Sequence, residues 1–131
     1  MHSLPTFDWT HGDLAEGLRL YNAGEYFTAH ESWETVWLAT PEPGKTFLQG
    51  VIQVTAAMEH RKRNNPLGTT RLLQNALRRL EPCLAAPYPP NFGGLALPLL
   101  CGDIHQHLHA LESNQPTARL APPRIHPLLQ S

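Results

Sequence analysis

Apolar residues recur at helical spacing along most of this chain, and no stretch alternates in the manner of a strand. Leu14, Leu18 and Tyr21 form one stripe, and Thr10 with Asp13 reads as its capping start. A first helix is therefore expected over about residues 11–22, with Gly24 as its stop. A second is expected over about 26–39, because Thr40-Pro41-Glu42-Pro43-Gly44 cannot continue it. The third, about 45–63, is apolar on nearly every side through Phe47, Leu48, Val51, Ile52, Val54 and Met58, the pattern of a central helix. Asn65 as cap and Pro66 at the first position open a fourth helix, whose Leu72, Leu73, Ala76, Leu77 and Leu80 share a face away from Arg71, Arg78 and Arg79. Between Pro82 and Pro98, five prolines and Gly93-Gly94 interrupt regular structure, in a connection that must lie on the surface or wrap the bundle. A last helix follows over about 98–112, and the Pro-rich tail from Ser113 is expected to be loosely packed or disordered. These elements add up to an all-α bundle of about five helices, a single domain over residues 1–131 with its core within about 11–112.

Two polar columns break the pattern. With His30 at zero on a helix turning about 100° per residue, Tyr26 lies at about −40°, Trp33 at −60°, Trp37 at −20°, Phe27 at +60° and Leu38 at +80°, with Glu34 among them at +40°. Thr28, Ser32, Thr35 and Ala39 gather on the far side as the water face. This phase puts His30 and Glu34 inside an apolar arc, where ionisable groups cost free energy unless partnered. Trp33 reads as core and Trp37 as a pocket wall, its indole N–H aimed at Glu34 or a ligand. On the third helix Gln49, Gln53 and His60 form a second column, flanked by the small residues Gly50, Ala56 and Ala57, and the two columns are expected to face each other.

A centre of His30, Glu34 and His60, with Gln53 or Glu31 nearby, offers nitrogen and oxygen ligands that suit zinc, iron, nickel or manganese. The matching chemistry is metal-assisted hydrolysis or hydration, in which Glu34 or Glu31 binds the ion or accepts a proton from bound water. Two other readings stay open: a structural network of charge-assisted hydrogen bonds closed by Gln53, and a small-ligand pocket walled by Trp37, Gln49 and Gln53. The His-Glu-x-x-His signature of zinc hydrolases is absent, since Glu34 stands where its second histidine belongs, and so are the Glu-x-x-His pairs of di-iron bundles.

The spacing His30, Glu34, Trp37 resembles the hallmark of domain-of-unknown-function family 309, a group of small bacterial and archaeal proteins. The opening segment Gly17 to Asn22 with Gly24, Tyr26 and Phe27 is similar to that family, as is Leu48-Gln49-Gly50-Val51-Ile52-Gln53 followed by Ala56-Ala57 and His60. A weaker block, Gly94-Leu95-Ala96-Leu97, extends the resemblance to about residues 14–112. It implies an all-helical fold and a metal-binding role for the histidine and glutamate. The chain departs from the family at Glu59, where a tyrosine is expected before the second-block histidine. Gly17, Leu20, Gly24, Tyr26, Ala29 and Trp33 also resemble one tetratricopeptide helix pair. A stable array needs at least three such units, so the competing function is a non-enzymatic helical interaction module.

Ten Lys plus Arg against eleven Asp plus Glu give no general attraction to nucleic acid or anionic membrane, and Arg61, Lys62 and Arg63 diverge around their helix. No signal peptide and no apolar run long enough to cross a membrane is read from the sequence. Cys83 and Cys101 read as two reduced thiols, so a cytoplasmic protein is expected, with any protein partner, small ligand or self-association unspecified. Of His105, His107 and His109 only the first and last share a helical face, and the three are expected to be an exposed cluster on an outer helix. His2, His11 and His126 carry no assigned role. No nucleophilic Ser or Cys arrangement and no Gly-rich phosphate loop is present.

Overall fold

The computed structural model describes residues 7–128, so His2 lies outside the described residues. Five α-helices follow one another: α1 (Gly12–Asn22), α2 (Tyr26–Leu38), α3 (Gly44–Lys62), α4 (Pro66–Leu80) and α5 (Leu97–Glu112), with short 3-10 turns at Glu81–Leu84 and Phe92–Gly94 before α5. Among the described residues the β pairing is confined to one antiparallel bridge between Leu95 and Pro127. The all-α bundle expected from the periodicity is the fold observed.

The helix ends have local causes. Gly24, at φ +78°, lets the amides of Gly24 and Glu25 turn back onto the carbonyls of Tyr21 and Leu20 at 3.0 and 2.9 Å. The same closure recurs at Asn64 and Asn114, which hold φ of 56° and 53°. Asn65 opens α4 by accepting from the Gly68 amide at 3.1 Å. Glu42 does the equivalent for α3, accepting from the amide and hydroxyl of Thr46 at 2.8 and 2.7 Å. Those two bonds, the hydroxyl's first, hold the Glu42 carboxyl below its ordinary range. The start of α1 corrects the expectation that Thr10 and Asp13 cap it. Asp8 instead gathers the hydroxyl and amide of Thr10 and Nδ1 of His11, and is held down to about 2.

Helix α3 is the axis, packed between α2 and α4, while α1 lies on α2 and α5 on α4. Phe47, Leu48, Val51, Val54, Ala57 and Met58 are fully buried along it, as a helix apolar all round requires. At the α1–α2 crossing Trp33 is fully buried and its Nε1–H donates to the carbonyl of Leu14 at 3.0 Å. The indole packs against Gly17, where a Cβ would stand 2.2 Å from the ring nitrogen. The Pro-rich connection wraps the bundle, burying Phe92 and Leu95, and Gly93 accepts from Trp9 Nε1 at 2.8 Å.

Two expectations fail at the C-terminal end. The tail is not loose: it docks on the bundle with Ile125 fully buried and its main chain hydrogen-bonded to α1, α3 and α5. His107 is not exposed either: it is buried beside Arg61, whose guanidinium also holds the docked tail. Its Nδ1–H donates to the carbonyl of Asp103 at 3.0 Å, which leaves Nε2 to accept from Arg61 Nη1 at 3.2 Å. Burial, together with the Arg61 guanidinium, pushes the imidazole below its ordinary value of 6.5. His105 and His109 remain exposed.

Gly17→Ala gains helix propensity of about 1 kcal/mol yet drives a methyl into the Trp33 ring, so a net loss of about 1–3 kcal/mol is expected from overpacking. Urea unfolding reads it, and an unchanged midpoint would show that the crossing has room. A neutral His107 makes the unfolded state bind the extra proton, so stability is full above about pH 6.5 and declines as pH falls toward the depressed folded value. Urea midpoints taken between pH 7.5 and 5.5 should fall, and His107→Gln should flatten that slope.

Candidate functional site

The burial of α2 corrects its phase. Tyr26, Ala29 and Trp33 are the buried residues, so the inward sector centres about 70° away from His30 on a helix of about 100° per residue. His30 sits at the rim with its side chain 38% exposed, Glu34 is 54% exposed, and Glu31 points to solvent. Phe27 and Leu38, which made the apolar arc look wide on that side, are 61% and 66% exposed. A small residue, Ala29, marks the centre of the buried face, and two large exposed ones outweigh it in a reading by hydrophobicity alone. His30 Nε2 and Glu34 Oε2 lie 3.4 Å apart, an i, i+4 ion pair on the surface.

From Gln53 onward the column on α3 faces α4 and not α2. Gly50 is the close-approach point, where a Cβ would meet Leu80 at 2.8 Å and Arg79 at 3.2 Å. One turn further, Gln53 Oε1 accepts from Arg79 Nη1 at 3.3 Å. His60 Nδ1 accepts from the Asn65 amide at 2.9 Å, with the backbone of Gly68 against its ring. In the neutral ring that bond places the proton on Nε2 and leaves no lone pair for an ion. The expected meeting of His30 and Glu34 with His60 or Gln53 is therefore not what the hydrogen bonds form. Among the described residues no group of three or more His, Cys, Asp or Glu side chains is spaced to hold a metal ion.

What α2, α3 and α4 do build is a groove of about 350 Å³ lined by Trp37, Glu42, Lys45, Thr46, Gln49 and Arg79. Three of the residues expected to form a binding site, Trp37, Gln49 and Gln53, line this groove or orient its arginine. Lys45 and Arg79 were not expected there. Lys45 follows the helix-breaking Pro-Gly segment and Arg79 sits on a face that reads as outward, so neither broke the apolar pattern. Lys45 Nζ rests 4.3 Å from the centre of the Trp37 ring, a cation–π contact. Neither Lys45 nor Arg79 has a carboxylate within ion-pair distance among the described residues. Both oxygens of Glu42 are engaged by Thr46. The Trp37 Nε1–H is buried without an acceptor.

Other polar groups have structural partners. His105 pairs with Glu81 at 3.2 Å, and Asp103 holds Arg124 at 2.8 Å. Cys83 and Cys101 are buried and free, and burial pushes the Cys101 thiol up to about 12, far from a reactive thiolate.

Residues 14–72 match the family described as Domain of unknown function (DUF309). The chain is similar to that family over those residues. The DUF309 match runs from α1 into α4 and so includes both sides of the groove's Trp37–Gln49 wall, while the Gly94–Leu97 block and α5 lie beyond it. An uncharacterised protein of Aquifex aeolicus (strain VF5) is 31% identical over 96 residues, which is 72% of this chain and 26% of that protein. The uncharacterised protein YpuF of Bacillus subtilis (strain 168) is 36% identical over 58 residues, 44% of this chain and 33% of that protein. The chain thus spans between a quarter and a third of the length of these relatives.

Replacing His30 and Glu34 together by alanine should change unfolding free energy by less than about 1 kcal/mol, since exposed i, i+4 pairs contribute roughly 0.3–0.5 kcal/mol. Trp33→Ala should cost about 3–5 kcal/mol by comparison. Thermal and urea unfolding of both variants measure the contrast, and equal losses would mean that His30 and Glu34 are structural.

Proposed function

We propose that this chain is a ligand-binding helical domain whose groove between α2, α3 and α4 takes a small anion bearing a carboxylate or phosphate group. The observation that carries the reading is the pair Lys45 and Arg79, two cations without carboxylate partners on one groove. Gln53 orients the Arg79 guanidinium, whose planar fork suits a two-oxygen acceptor. Trp37 supplies an apolar wall and Gln49 an amide. Glu42 keeps its negative charge, stabilised by Thr46 and attracted by Lys45, so the three charged side chains of the lining sum to one net positive charge. Two buried, unpaired thiols suit a reducing compartment such as the cytoplasm.

Metal-assisted hydrolysis has weaker support. His30 and Glu34 stand as a two-donor pair at the helix rim, and the third donor, His60, is bonded to Asn65. An interaction module built from the α1–α2 pair alone lacks further repeats to extend a peptide surface.

Inorganic phosphate and succinate are the probes, with sodium chloride at matched ionic strength as the reference. A bound probe at about ten times its Kd should stabilise the parent by about 1.4 kcal/mol beyond the salt reference. Phosphate also stabilises proteins by general exclusion, so the deciding variants are Arg79→Ala and Lys45→Ala, each of which should lose that excess. An excess that survives in Arg79→Ala would contradict the assignment.

A further inference from the structure

The docked tail reads as a peptide in a binding groove. Residues 113–116 are exposed, and from Thr117 to Leu128 the main chain is held by groups from four separate places in the fold. Arg61 Nη1 of α3 donates to the carbonyls of Thr117 and Leu120 at 3.1 and 2.8 Å. Tyr21 of α1 donates its hydroxyl to the carbonyl of Pro123 at 2.7 Å. Asp103 of α5 accepts from the Arg124 amide at 2.9 Å. The segment 94–96 adds a short antiparallel pairing, Ala96 N to His126 O and Leu128 N to Gly94 O, each at 2.8 Å. Main-chain bonds of this kind bind an extended peptide whatever its sequence, and side-chain pockets then select it. Here the selection falls on three adjacent residues. Pro123 and Ile125 are buried, and the Arg124 guanidinium makes two bonds to the Asp103 carboxylate, at 2.8 and 2.9 Å.

We propose that Tyr21, Arg61, Asp103 and the segment 94–96 form a groove for extended peptides carrying Pro-Arg-Ile, which the chain's own residues 117–128 occupy in cis. The proposal is independent of the anion groove, whose lining residues lie elsewhere, on α2, α3, α4 and the α2–α3 connection. The groove is pre-built: Tyr21 is buried, and His107 is buried behind Arg61, fixing the guanidinium by accepting from it. A tethered occupant competes at millimolar effective concentration, so a partner peptide enters only when the tail is released.

The test cuts the tether after folding. Residues 113–116 of the full chain are replaced by a site-specific protease sequence, the folded protein is cleaved, and a fluorescein-labelled peptide of residues 117–128 is added. Fluorescence anisotropy should show saturable exchange into the cleaved protein, tighter by at least about tenfold than into the uncut chain because the tether's effective concentration is gone. The same peptide with Ile125→Asp should not bind, and with Arg124→Ala should bind more weakly. If cleavage lowers the helical circular-dichroism signal, the parent peptide should restore it and the Ile125→Asp peptide should not. A cleaved protein that neither exchanges its tail nor is restored by added peptide would overturn the proposal. So would equal binding of the parent and Ile125→Asp peptides.

Discussion

Everything this chain can present on α2 depends on one contact, the Trp33 indole lying on Gly17. The ring is fully buried, its N–H is spent on the carbonyl of Leu14, and the absent Cβ at Gly17 is what lets α1 and α2 come close enough to enclose it. A buried tryptophan removes a large apolar area from water and makes edge and stacked contacts with Trp9 and Tyr21, so no other phase of α2 competes with it. Once Trp33 points inward, Ala29 and Tyr26 must follow and His30 and Glu34 are carried to the rim. The polar residues that look most functional in the sequence are thus placed by an apolar one.

The same contact hands the site to the neighbouring seam. With α2 turned by Trp33, Trp37 comes to lie against the start of α3, under Lys45 and beside Gln49. The rest of the α3 polar column is absorbed by α4, where Gly50 allows a close approach, Gln53 takes Arg79 and His60 takes Asn65. Charge then decides the character of the groove. Two cations, Lys45 and Arg79, outnumber one carboxylate, Glu42, along an open groove.

Much of this was legible from pattern alone. The five helices, the Asn65-Pro66 start, the central role of α3 and the burial of Trp33 follow from periodicity and capping, which are local properties. The facing of the two columns was not legible, because small residues such as Gly50 announce a close approach without saying which helix makes it. Phe27 and Leu38 misled for a related reason: hydrophobicity predicts burial on average, and a surface still carries large apolar side chains. The docked tail was illegible because it is held through main-chain carbonyls and amides, which every residue has. Tyr21, Arg61 and Asp103 carry its recognition in their side chains, and the first reads as core while the other two read as ordinary surface charges.

The phase of α2 is the claim on which the site rests, and thiol-labelling rates along that helix measure it directly. Single cysteines placed from residue 26 to 38 are compared under native conditions, with the buried Cys83 and Cys101 as slow internal references. Fast labelling is expected at 27, 30, 31, 34 and 38, and slow labelling at 26, 29 and 33. Protection at 30 and 34 with rapid labelling at 29 would contradict it, returning His30 and Glu34 to the interior.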